Sequence, residues 1–584
     1  MIKKLAGYIK EYKAPAIITP IMMVLEVIFD MLIPFLMGLL IDEGVNAGNM
    51  SKIIQMGVLM LVAAMAALAA GIIGAKTSAK ASAGFAKNLR EGMFNNIQNF
   101  SFSNIDRFST ASLVTRLTTD TTNVQMAFQM IIRMATRAPL SLIVAMIMTF
   151  VINARLAMIY LIAVIILGCI LVVIMKKGTA FFKKIFPKYD DLNANIQENV
   201  TAIRVVKSFV REDDETVKLK KASQNIYKLF TKAERIICWN MPIMMFAVYA
   251  CIILVSWFGA NMIVVDELTT GELMSLLSYC VNILASLMML SMVFVMISMS
   301  TASAERICEV LDEKSDLHNP ENPIFEVKDG SIDFDHVSFS YHKKSEKPVL
   351  NDIDISIPSG SVIGIMGGTG AGKTSFVNLI SRLYDVTSGS VRVGGIDVRQ
   401  YDMETLRDNV AVVLQKNVLF SGTILENLRW GNKNATLEEC EEAAKVACAH
   451  EFIMNRPDGY KTYLEQGGAN MSGGQKQRLC IARALLKKPK ILILDDSTSA
   501  VDTATDAKIN DALRLNAPDM TKIIIAQRIS SIQHADKIIV LDDGEIKGIG
   551  THEELLKSNE IYSEVYASQQ SGSGDFDEQQ GGED

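Results

Sequence analysis

Cysteine is scarce in this chain, with eight residues among 584, and no Cys-x-x-Cys pair occurs. A disulfide scaffold is therefore excluded, and no zinc site is indicated. An excess of positive charge is also missing, because 58 Lys and Arg stand against 64 Asp and Glu, for a formal net charge of -6. This balance argues against a nucleic-acid-binding protein, which usually carries a basic face.

Charged residues of either sign are few, at 21%, whereas hydrophobic residues reach 49% and the mean hydropathy is +0.24. Intrinsic disorder is thereby excluded for most of the chain. The long apolar runs are confined to the first 300 residues, and the rest resembles an ordinary soluble α/β domain in composition. We expect a membrane domain over residues 1–310, a linker over 311–325 and a soluble domain over 326–568. A polar, acidic, disordered tail is expected over 569–584.

Six apolar stretches are long enough to cross a membrane, since a hydrocarbon core of about 30 Å needs about 20 residues of helix. A buried helix of a soluble protein rarely stays apolar on every face over such a length. The sequence predicts an all-α domain with six transmembrane helices, at residues 15–41, 53–75, 125–151, 156–175, 237–264 and 272–299. The first stretch is too long for a cleaved signal peptide and contains Glu26 and Asp30.

Lys and Arg are concentrated before the first span and in the two long connections, after spans two and four, while the three short connections hold only Lys52 and Arg155. We expect a multi-pass protein of the plasma membrane, and the positive-inside rule predicts that both termini and the soluble domain are in the cytosol. The long connections have helical periodicity, so we expect cytosolic extensions of the spans. Within them, residues 106–120 and 198–209 are either solvated helix surface or contacts to the soluble domain.

Some side chains within the spans are candidates for a substrate path. Glu26 and Asp30 lie one turn apart, and carboxylates are costly in a membrane, so they contact either a cationic substrate or a neighbouring helix. Met288, Met292 and Met296 share one face of the sixth span. Methionine suits surfaces that accept varied apolar partners, although helix packing or lipid contact explains the same spacing.

A nucleotide site is indicated at residues 361–380, SVIGIMGGTGAGKTSFVNLI, where an apolar strand leads into GxxxxGKT and then a helix. Glycines let backbone N–H groups approach phosphate oxygens, Lys373 reaches the outer phosphates, and the Thr374 hydroxyl can bind Mg²⁺. The predicted ATP-binding residues here are Gly367, Gly368, Thr369, Gly370, Ala371, Gly372, Lys373, Thr374 and Ser375.

Two more motifs follow the phosphate loop. In KILILDD, residues 490–496, a buried strand ends at Asp495, a second candidate ligand of Mg²⁺. In MSGGQKQR, residues 471–478, a turn before a helix offers N–H groups and a hydroxyl to an anion, although alone it could be only a helix cap.

Together these motifs resemble a half-transporter of the ATP-binding-cassette (ABC) exporter family over residues 1–568. The resemblance implies a multi-domain fold: six transmembrane helices, then an α/β P-loop nucleotide-binding domain with an α-helical subdomain, using ATP and Mg²⁺. Tyr341 matches the residue that stacks on adenine, and Gln415 the glutamine that contacts Mg²⁺ and the γ-phosphate. The remaining matches are the signature, at Ser472, Gly473, Gly474 and Gln475, the loop that crosses to the other cassette, at Asp502, and the coupling helices, within residues 106–120 and 198–209.

Three positions depart from the family pattern. Asp496 occupies the place of the general-base Glu, Gln527 that of the His at the γ-phosphate, and Glu465-Gln466 that of a Gly-Glu pair. Aspartate is one methylene shorter, so its carboxylate falls about 1.5 Å short, and positioned base catalysis typically contributes about 10²–10⁴-fold. Glutamine cannot become cationic as an imidazole can.

This pattern resembles the subunit of a heterodimeric bacterial multidrug exporter that carries a degenerate ATP site. The resemblance implies a second, non-identical half-transporter that supplies the missing Glu and His, with the signature of this chain completing the partner's site. It also implies alternating-access export of amphipathic small molecules, either drugs or lipids, across the lipid bilayer. A homodimeric exporter or lipid flippase that tolerates Asp496 and Gln527 is the alternative. A nucleotide-gated channel is disfavoured, since no pore-lining charge pattern is visible.

Overall fold

The computed structural model describes residues 1–341, 347–496 and 502–570, so the tail expected at 569–584 lies outside the described residues from 571 onward. Internal contacts divide the chain into two units. The first comprises Met1–Asn99 and Phe108–Lys314, and the second joins Phe100–Arg107 to the residues from Ser315 onward.

The first 312 residues are helical. The α-helices are α1 (Ile2–Gly7), α2 (Lys13–Leu39), α3 (Met50–Gln98), α4 (Phe102–Arg107), α5 (Thr110–Thr115), α6 (Thr121–Ile152), α7 (Ala154–Thr201), α8 (Ile203–Ser208), α9 (Glu212–Ile237), α10 (Asn240–Val264) and α11 (Thr270–Asp312). A 3-10 turn, Lys10–Tyr12, and two π-helical segments, Leu40–Asn46 and Arg116–Asp120, join some of them. Helix α4 belongs to the second unit.

Six of these helical stretches are long and apolar enough to cross a membrane: Lys10–Asn46, Met50–Gln98, Thr110–Ile152, Ala154–Gly178, Glu212–Val264 and Thr270–Asp312. The prediction of six apolar helices is confirmed. Large apolar side chains stay exposed along them, as Phe246, Ile253 and Trp257 do on α10. Helices that are apolar all round are typical of membrane spans.

The core of the first unit is formed by α2, α6, α7, α10 and α11 around two buried tyrosines. Tyr160 donates its hydroxyl to the Leu276 carbonyl oxygen at 2.9 Å, and Tyr279 donates to the Met31 carbonyl oxygen at 2.7 Å. Each buried tyrosine hydroxyl therefore has a hydrogen-bond partner on the backbone of another helix, as is usual for buried polar groups.

The described part of the second unit has twelve strands. They are β1 (Ile332–Phe339), β2 (Leu350–Ile357), β3 (Val362–Met366), β4 (Ser388–Val393), β5 (Ile396–Asp397), β6 (Val410–Val413), β7 (Gly422–Thr423), β8 (Tyr463–Leu464), β9 (Ile491–Asp495), β10 (Thr521–Ile525), β11 (Lys537–Asp542) and β12 (Glu545–Gly550). Its further helices are α12 (Lys373–Ile380), α13 (Met403–Asn409), α14 (Ile424–Leu428), α15 (Leu437–Val446), α16 (His450–Met454), α17 (Gly473–Leu485), α18 (Thr503–Asn516), α19 (His552–Ser558) and α20 (Glu560–Gln570).

These strands form a six-stranded sheet in the order β12-β11-β3-β10-β9-β6, a four-stranded antiparallel sheet β2-β1-β4-β5, and a small pair β7-β8. The neighbours from β11 to β6 are parallel. Strands β3, β9 and β10 are buried at every position, as expected for a parallel sheet covered on both faces. Helix α12 shares one apolar core with both larger sheets, and α14, α15 and α17 share a second with the six-stranded sheet. An α/β domain thus follows the helical domain, as predicted.

Candidate nucleotide-binding site

The fold gathers the predicted nucleotide motifs at one edge of the six-stranded sheet. Strands β3, β10, β9 and β6 are consecutive parallel neighbours, so their carboxyl ends lie on the same side. The phosphate loop follows β3, Asp496 follows β9, Gln527 lies two residues beyond β10, and Gln415 two residues beyond β6. Ligands of open α/β sheets bind at this edge.

The phosphate loop has the backbone that its glycines permit. Gly370 and Gly372 have φ values of 86° and 94°, in the left-handed region that favours glycine, and α12 begins directly after them. At Gly367 a Cβ atom would lie 2.0 Å from a backbone carbonyl oxygen of β11, so only glycine fits. The Lys373 ammonium folds over the loop and donates to the carbonyl oxygens of Gly367 and Gly368, both at 2.8 Å.

This loop and the first turn of α12 suit a phosphate group. The first N–H groups of a helix have no partner within the helix, and its positive end favours an anion. Lys373 adds a full positive charge at the same place. All nine residues selected from the phosphate-loop motif lie in this loop and first turn, from Gly367 to Ser375.

The two candidate oxygen ligands of Mg²⁺ meet at the start of α12. The Thr374 hydroxyl donates to the Asp495 carboxylate at 3.0 Å. Asp495 is 3% exposed, and burial raises the pKa of its carboxyl above the ordinary value, against the opposing effects of Thr374 and the Lys373 charge. Hydroxyl and carboxylate oxygens are ligands that Mg²⁺ prefers, and a cation at this point would stabilise the ionised carboxylate.

Asp496 lies at the centre of the positions that the family pattern associates with hydrolysis. One of its carboxylate oxygens, Oδ2, accepts hydrogen bonds from Nε2 of Gln415 at 3.2 Å and from Nε2 of Gln527 at 3.1 Å. Its side chain is largely buried, and its φ of 46° is unusual for a residue other than glycine. The structure therefore brings together Gln415, which follows β6, and two of the three departures from the family pattern, Asp496 and Gln527.

Gln527 is anchored by a residue that sequence reasoning did not select. The amide of Gln569, near the end of α20, donates to the Gln527 carbonyl oxygen at 2.8 Å and accepts from the N–H of Ile529 at 3.0 Å. This pair of bonds holds the backbone of the segment that follows β10. The sequence carries no signal for it, because Gln569 lies in no motif.

Tyr341 lies beside the phosphate loop, with its hydroxyl 2.8 Å from the Ser375 hydroxyl. The ring is 41% exposed, which leaves surface for stacking. Its edge contacts Tyr384 at a centroid distance of 5.1 Å, and the Tyr384 hydroxyl donates to Asp106 of α4 at 2.6 Å. Burial, reinforced by Asp106, raises the pKa of Tyr384, so its hydroxyl stays a donor. Tyr384 was not selected from the sequence.

The signature and the residue matched to the crossing loop are both helix caps. Ser472 caps α17: its hydroxyl accepts from the Gln475 N–H at 3.3 Å, while the Gln475 side chain accepts from the Ser472 N–H at 3.1 Å. Asp502 caps α18 and accepts from the Thr505 N–H at 2.9 Å, and this bond lowers the pKa of Asp502. Gly473 and Gly474 form the first turn of α17, where N–H groups are available to an anion.

The two stretches matched to coupling helices have different surroundings. Asp106 lies in the second unit, whereas Asp120 is buried in the first unit and accepts from Arg306 at 2.8 and 2.5 Å. The stretch 198–209 contains α8 and belongs to the first unit, where Val205 and Phe209 are exposed. The structure thus divides the first stretch between an exposed end and a buried ion pair.

The candidate substrate-path residues do not share one environment. Arg137 of α6 bridges the two carboxylates, with one nitrogen 2.9 Å from Glu26 and the other 2.9 Å from Asp30. On α11, the side chains of Met288 and Met296 are half-buried, and that of Met292 is 58% exposed. Sequence reasoning proposed a neighbouring helix as one partner for Glu26, but it did not identify Arg137.

Models of two families match the chain. The one described as the ABC transporter transmembrane region matches residues 16–302, and the one described as ABC transporter matches residues 350–499. The second match includes the phosphate loop and Asp495, and it ends before Asp502.

Individual proteins match most of the chain or nearly all of it. It is 35% identical over 568 residues to YfiB of Bacillus subtilis (strain 168), an ABC transporter ATP-binding protein named as uncharacterized, with 97% of this chain and 98% of YfiB covered. It is 39% identical over 381 residues to a putative multidrug export ATP-binding/permease protein of Staphylococcus aureus (strain NCTC 8325 / PS 47), covering 64% and 65%. Among solved structures, a bacterial Atm1-family ABC exporter with ATP bound has a TM-score of 0.83 and 25% identity, covering 95% of this chain and 99% of that one.

Proposed function

The chain belongs to the ABC transporter family, as an exporter with a transmembrane domain and an ATP-binding domain, and we propose that it is one half of a heterodimer. In this proposal it carries the nucleotide motifs of a slowly hydrolysing ATP site. A second, non-identical half-transporter carries the site that hydrolyses ATP rapidly. The observation that carries the proposal is the hydrogen-bonded group of Asp496, Gln415 and Gln527.

Asp496 is poorly suited to activate water. Its Oδ2 already accepts from two amide groups, and its side chain is one methylene shorter than that of the Glu in the family pattern. A general base has to lie within hydrogen-bond reach of the proton that it removes. A carboxylate held back by two amides, on a residue with φ of 46°, does not extend further toward a phosphate. ATP at this site is therefore bound for longer than at a competent site.

The phosphate side of the same site keeps the groups of the phosphate-loop motif. Lys373, the first turn of α12, and the Thr374 and Asp495 oxygens all lie at the carboxyl end of β3 and β9. These groups bind phosphate and Mg²⁺ without activating water. A site with full binding and weak hydrolysis is consistent with a regulatory rather than an energy-supplying role.

The signature of this chain acts in the other site. Ser472 and the glycines after it keep a formed helix N-terminus, which is suited to the γ-phosphate of an ATP bound by the partner. The partner supplies the Glu and His absent here. Closure of the paired cassettes around ATP moves the coupling segments and switches the spans from inward-open to outward-open, and hydrolysis at the partner's site resets them.

We further propose a plasma-membrane location. Both termini and the cassette lie in the cytosol, because Lys and Arg gather on that side of the spans. The exported compounds are amphipathic, either drugs or lipids. The apolar spans and their Met residues favour such compounds over sugars, and the Staphylococcus aureus relative is named as a multidrug exporter. The substrate path includes Glu26 and Asp30 on α2, together with Met288, Met292 and Met296 on α11.

The alternative is a homodimeric exporter or lipid flippase. The specific observation in its favour is the match along almost the full length to an Atm1-family exporter. In that arrangement two identical chains would hydrolyse ATP at two sites built on Asp496 and Gln527.

The two arrangements differ in the activity of the isolated chain. The full chain is purified alone and with a second half-transporter that has Glu and His at the two positions, and Mg²⁺-dependent ATPase is measured in lipid nanodiscs. The heterodimer model predicts background ATPase activity for this chain alone and rapid ATPase activity for the two chains together. The rapid activity should be lost when the partner's Glu is changed to Gln. Rapid ATPase by the chain alone, abolished by Lys373→Ala, would instead establish the homodimer.

A further inference from the structure

A cavity of about 470 Å³ lies between α2, α3 and α6 of the first unit, and its lining combines four ionisable side chains with an apolar wall. The ionisable residues are Glu26, Asp30, Arg133 and Arg137, and the wall includes Leu68 and Ile72. All of them lie within the apolar stretches that are long enough to cross a membrane. Ionisable groups at such a depth are costly unless they are paired or functional.

Pairing inside this cavity is incomplete on the acidic side. Arg137 uses one nitrogen for Oε1 of Glu26 and another for Asp30, both at 2.9 Å. The second oxygen of Glu26, Oε2, is fully buried and has no hydrogen-bond partner within residues 1–341, 347–496 and 502–570. The Glu26 residue as a whole is only 8% exposed. A buried carboxylate oxygen without a donor is destabilising by itself, so it indicates a missing ligand.

The backbone of α3 leaves room beside this oxygen. A Cβ atom built on Gly71 would lie 3.5 Å from both carboxylate oxygens of Glu26, and Gly71 lines the same cavity. Any longer side chain at this position would cover the carboxylate. Because Gly71 has no side chain, no atom of that residue covers the Glu26 carboxylate, and Glu26 lines the cavity.

Pairing is incomplete on the basic side as well. Arg133 lies one turn before Arg137 on α6 and lines the cavity, and in the described part of the chain it forms no ion pair or hydrogen bond. The four ionisable groups sum to zero charge, as two carboxylates and two guanidinium groups. A ligand with a net charge would leave one charge unbalanced in a region of low dielectric constant.

We propose that this cavity binds the head of a zwitterionic amphiphile that the exporter moves. The cationic ammonium of the ligand donates to Oε2 of Glu26, and its phosphate or carboxylate accepts from Arg133. The apolar body lies along Leu68 and Ile72. This inference rests on the proposed export of amphipathic compounds and specifies which charge pattern such a compound has.

Binding is tested first, with the full chain in detergent and three fluorescent probes whose apolar chains have equal length. The probes are lysophosphatidylethanolamine, which has both charges, lysophosphatidylglycerol, which has only the negative one, and an alkylamine, which has only the positive one. We expect the zwitterion to bind at least about tenfold more tightly than either single-charge probe. Glu26→Gln and Arg133→Gln should each weaken its binding about tenfold.

The single-charge probes assign each contact. Glu26→Gln should weaken the binding of the alkylamine and leave the binding of lysophosphatidylglycerol unchanged. Arg133→Gln should weaken the binding of lysophosphatidylglycerol and leave that of the alkylamine unchanged. Glu43→Gln and Arg155→Gln are matched controls, because each makes the same chemical change in an exposed ion pair. Equal affinity for all three probes, or zwitterion binding that neither cavity variant weakens, would overturn the proposal. Arg133→Gln breaks no ion pair, so its result does not depend on whether Glu26→Gln folds.

A fourth probe separates the possible sources of the ligand. An N-alkyl amino acid of the same length has the two charges without a phosphodiester. Binding of both zwitterions supports recognition of the charge pair on drugs and lipids alike, whereas binding of the phospholipid alone restricts the site to lipid headgroups.

Transport is measured separately, as ATP-driven movement of the bound probe in vesicles that contain the assembled exporter. We expect both cavity variants to slow this movement at low probe concentration. Cavity-dependent binding with no ATP-driven movement by the unmodified exporter would contradict the proposed function and leave the binding site standing. Movement that is unaffected by the cavity variants would overturn the transport role of the cavity and leave the exporter function standing.

Discussion

The two sides of the nucleotide site differ in the kind of residue on which each depends. The phosphate side, after β3, depends on backbone shape: left-handed glycines, a helix N-terminus, and one lysine folded over the loop. The proposed hydrolytic side, after β9 and β10, depends on the length and charge of two side chains, Asp496 and Gln527, which form a hydrogen bond with each other. If the proposed function is right, binding and hydrolysis are separable, because residues after different strands provide them.

Hydrogen bonds on the second side show how Asp496 and Gln527 fit together in the fold. Asp496 and Gln527 satisfy each other through a hydrogen bond of 3.1 Å, and Gln415 adds a second. A shorter acid and a neutral amide thus form a stable pair at the sheet edge. On the phosphate side, no such exchange is possible at Gly367, where any Cβ atom would meet a backbone oxygen.

The largest effect is expected from Gly474→Glu in the signature. If the signature contacts the partner's ATP, the new carboxylate meets the γ-phosphate, and repulsion in a partly dry interface blocks closure. We expect total ATPase of the assembled exporter to fall by about 100-fold or more. Gly474→Gln is the matched control, with nearly the same size and no charge. Turnover close to that of the unmodified exporter would refute the head-to-tail pairing.

A large effect on binding is expected from Lys373→Ala. The change removes the cation that faces the outer phosphates, and charge-assisted contacts of this kind contribute about 1.5–3 kcal/mol. ATP affinity of the full chain should fall by about 10- to 100-fold in an equilibrium binding assay. Lys547→Ala, in an exposed ion pair on β12, is the control and should bind ATP normally. Unchanged affinity in the Lys373 variant would contradict the assignment of the phosphate side.

A moderate gain is expected from the double change Asp496→Glu and Gln527→His. The longer glutamate side chain reaches the attacking water, and the histidine imidazole regains contact with the γ-phosphate. Either change alone should raise ATPase activity little, because the effects of residues that act together in catalysis are non-additive. ATPase is measured with a partner that has lost its own catalytic Glu, so that any turnover comes from the site of this chain.

We expect about a tenfold rise above that silent background, abolished again by Lys373→Ala. If the double variant stays at background beside a partner with an intact signature, these two residues do not account for slow hydrolysis.

Both the spans and the phosphate side could be predicted from the sequence because each has a local signal. A membrane helix needs about 20 apolar residues, and the loop from Gly367 to Lys373 needs glycines at fixed spacing. The π-helical segment Leu40–Asn46 had no such signal, since tertiary packing decides where a helix takes an extra residue.

Contacts between distant segments were the part that could not be predicted. Gln569 supports Gln527, and Asp106 bonds Tyr384, only because the fold brings separate segments together. Arg133 and Arg137 are different, since two arginines four residues apart within an apolar span are themselves a signal of a polar site in the membrane. The same reasoning that selected Glu26 on the first span applies to the third.

The smallest effect is expected from Asp496→Asn, which tests the hydrolytic side directly. Asparagine tolerates the φ of 46° better than most residues and keeps the shape of the side chain, but it cannot act as a base. If this site hydrolyses little ATP, turnover of the assembled exporter should stay within about twofold of the unmodified value, since the partner's site supplies most of it. The matched control is the change of the partner's catalytic Glu to Gln, which should remove nearly all activity. Comparable losses from both changes, measured at saturating ATP, would mean that Asp496 is a working base and that the two ATP sites of the exporter are equally competent.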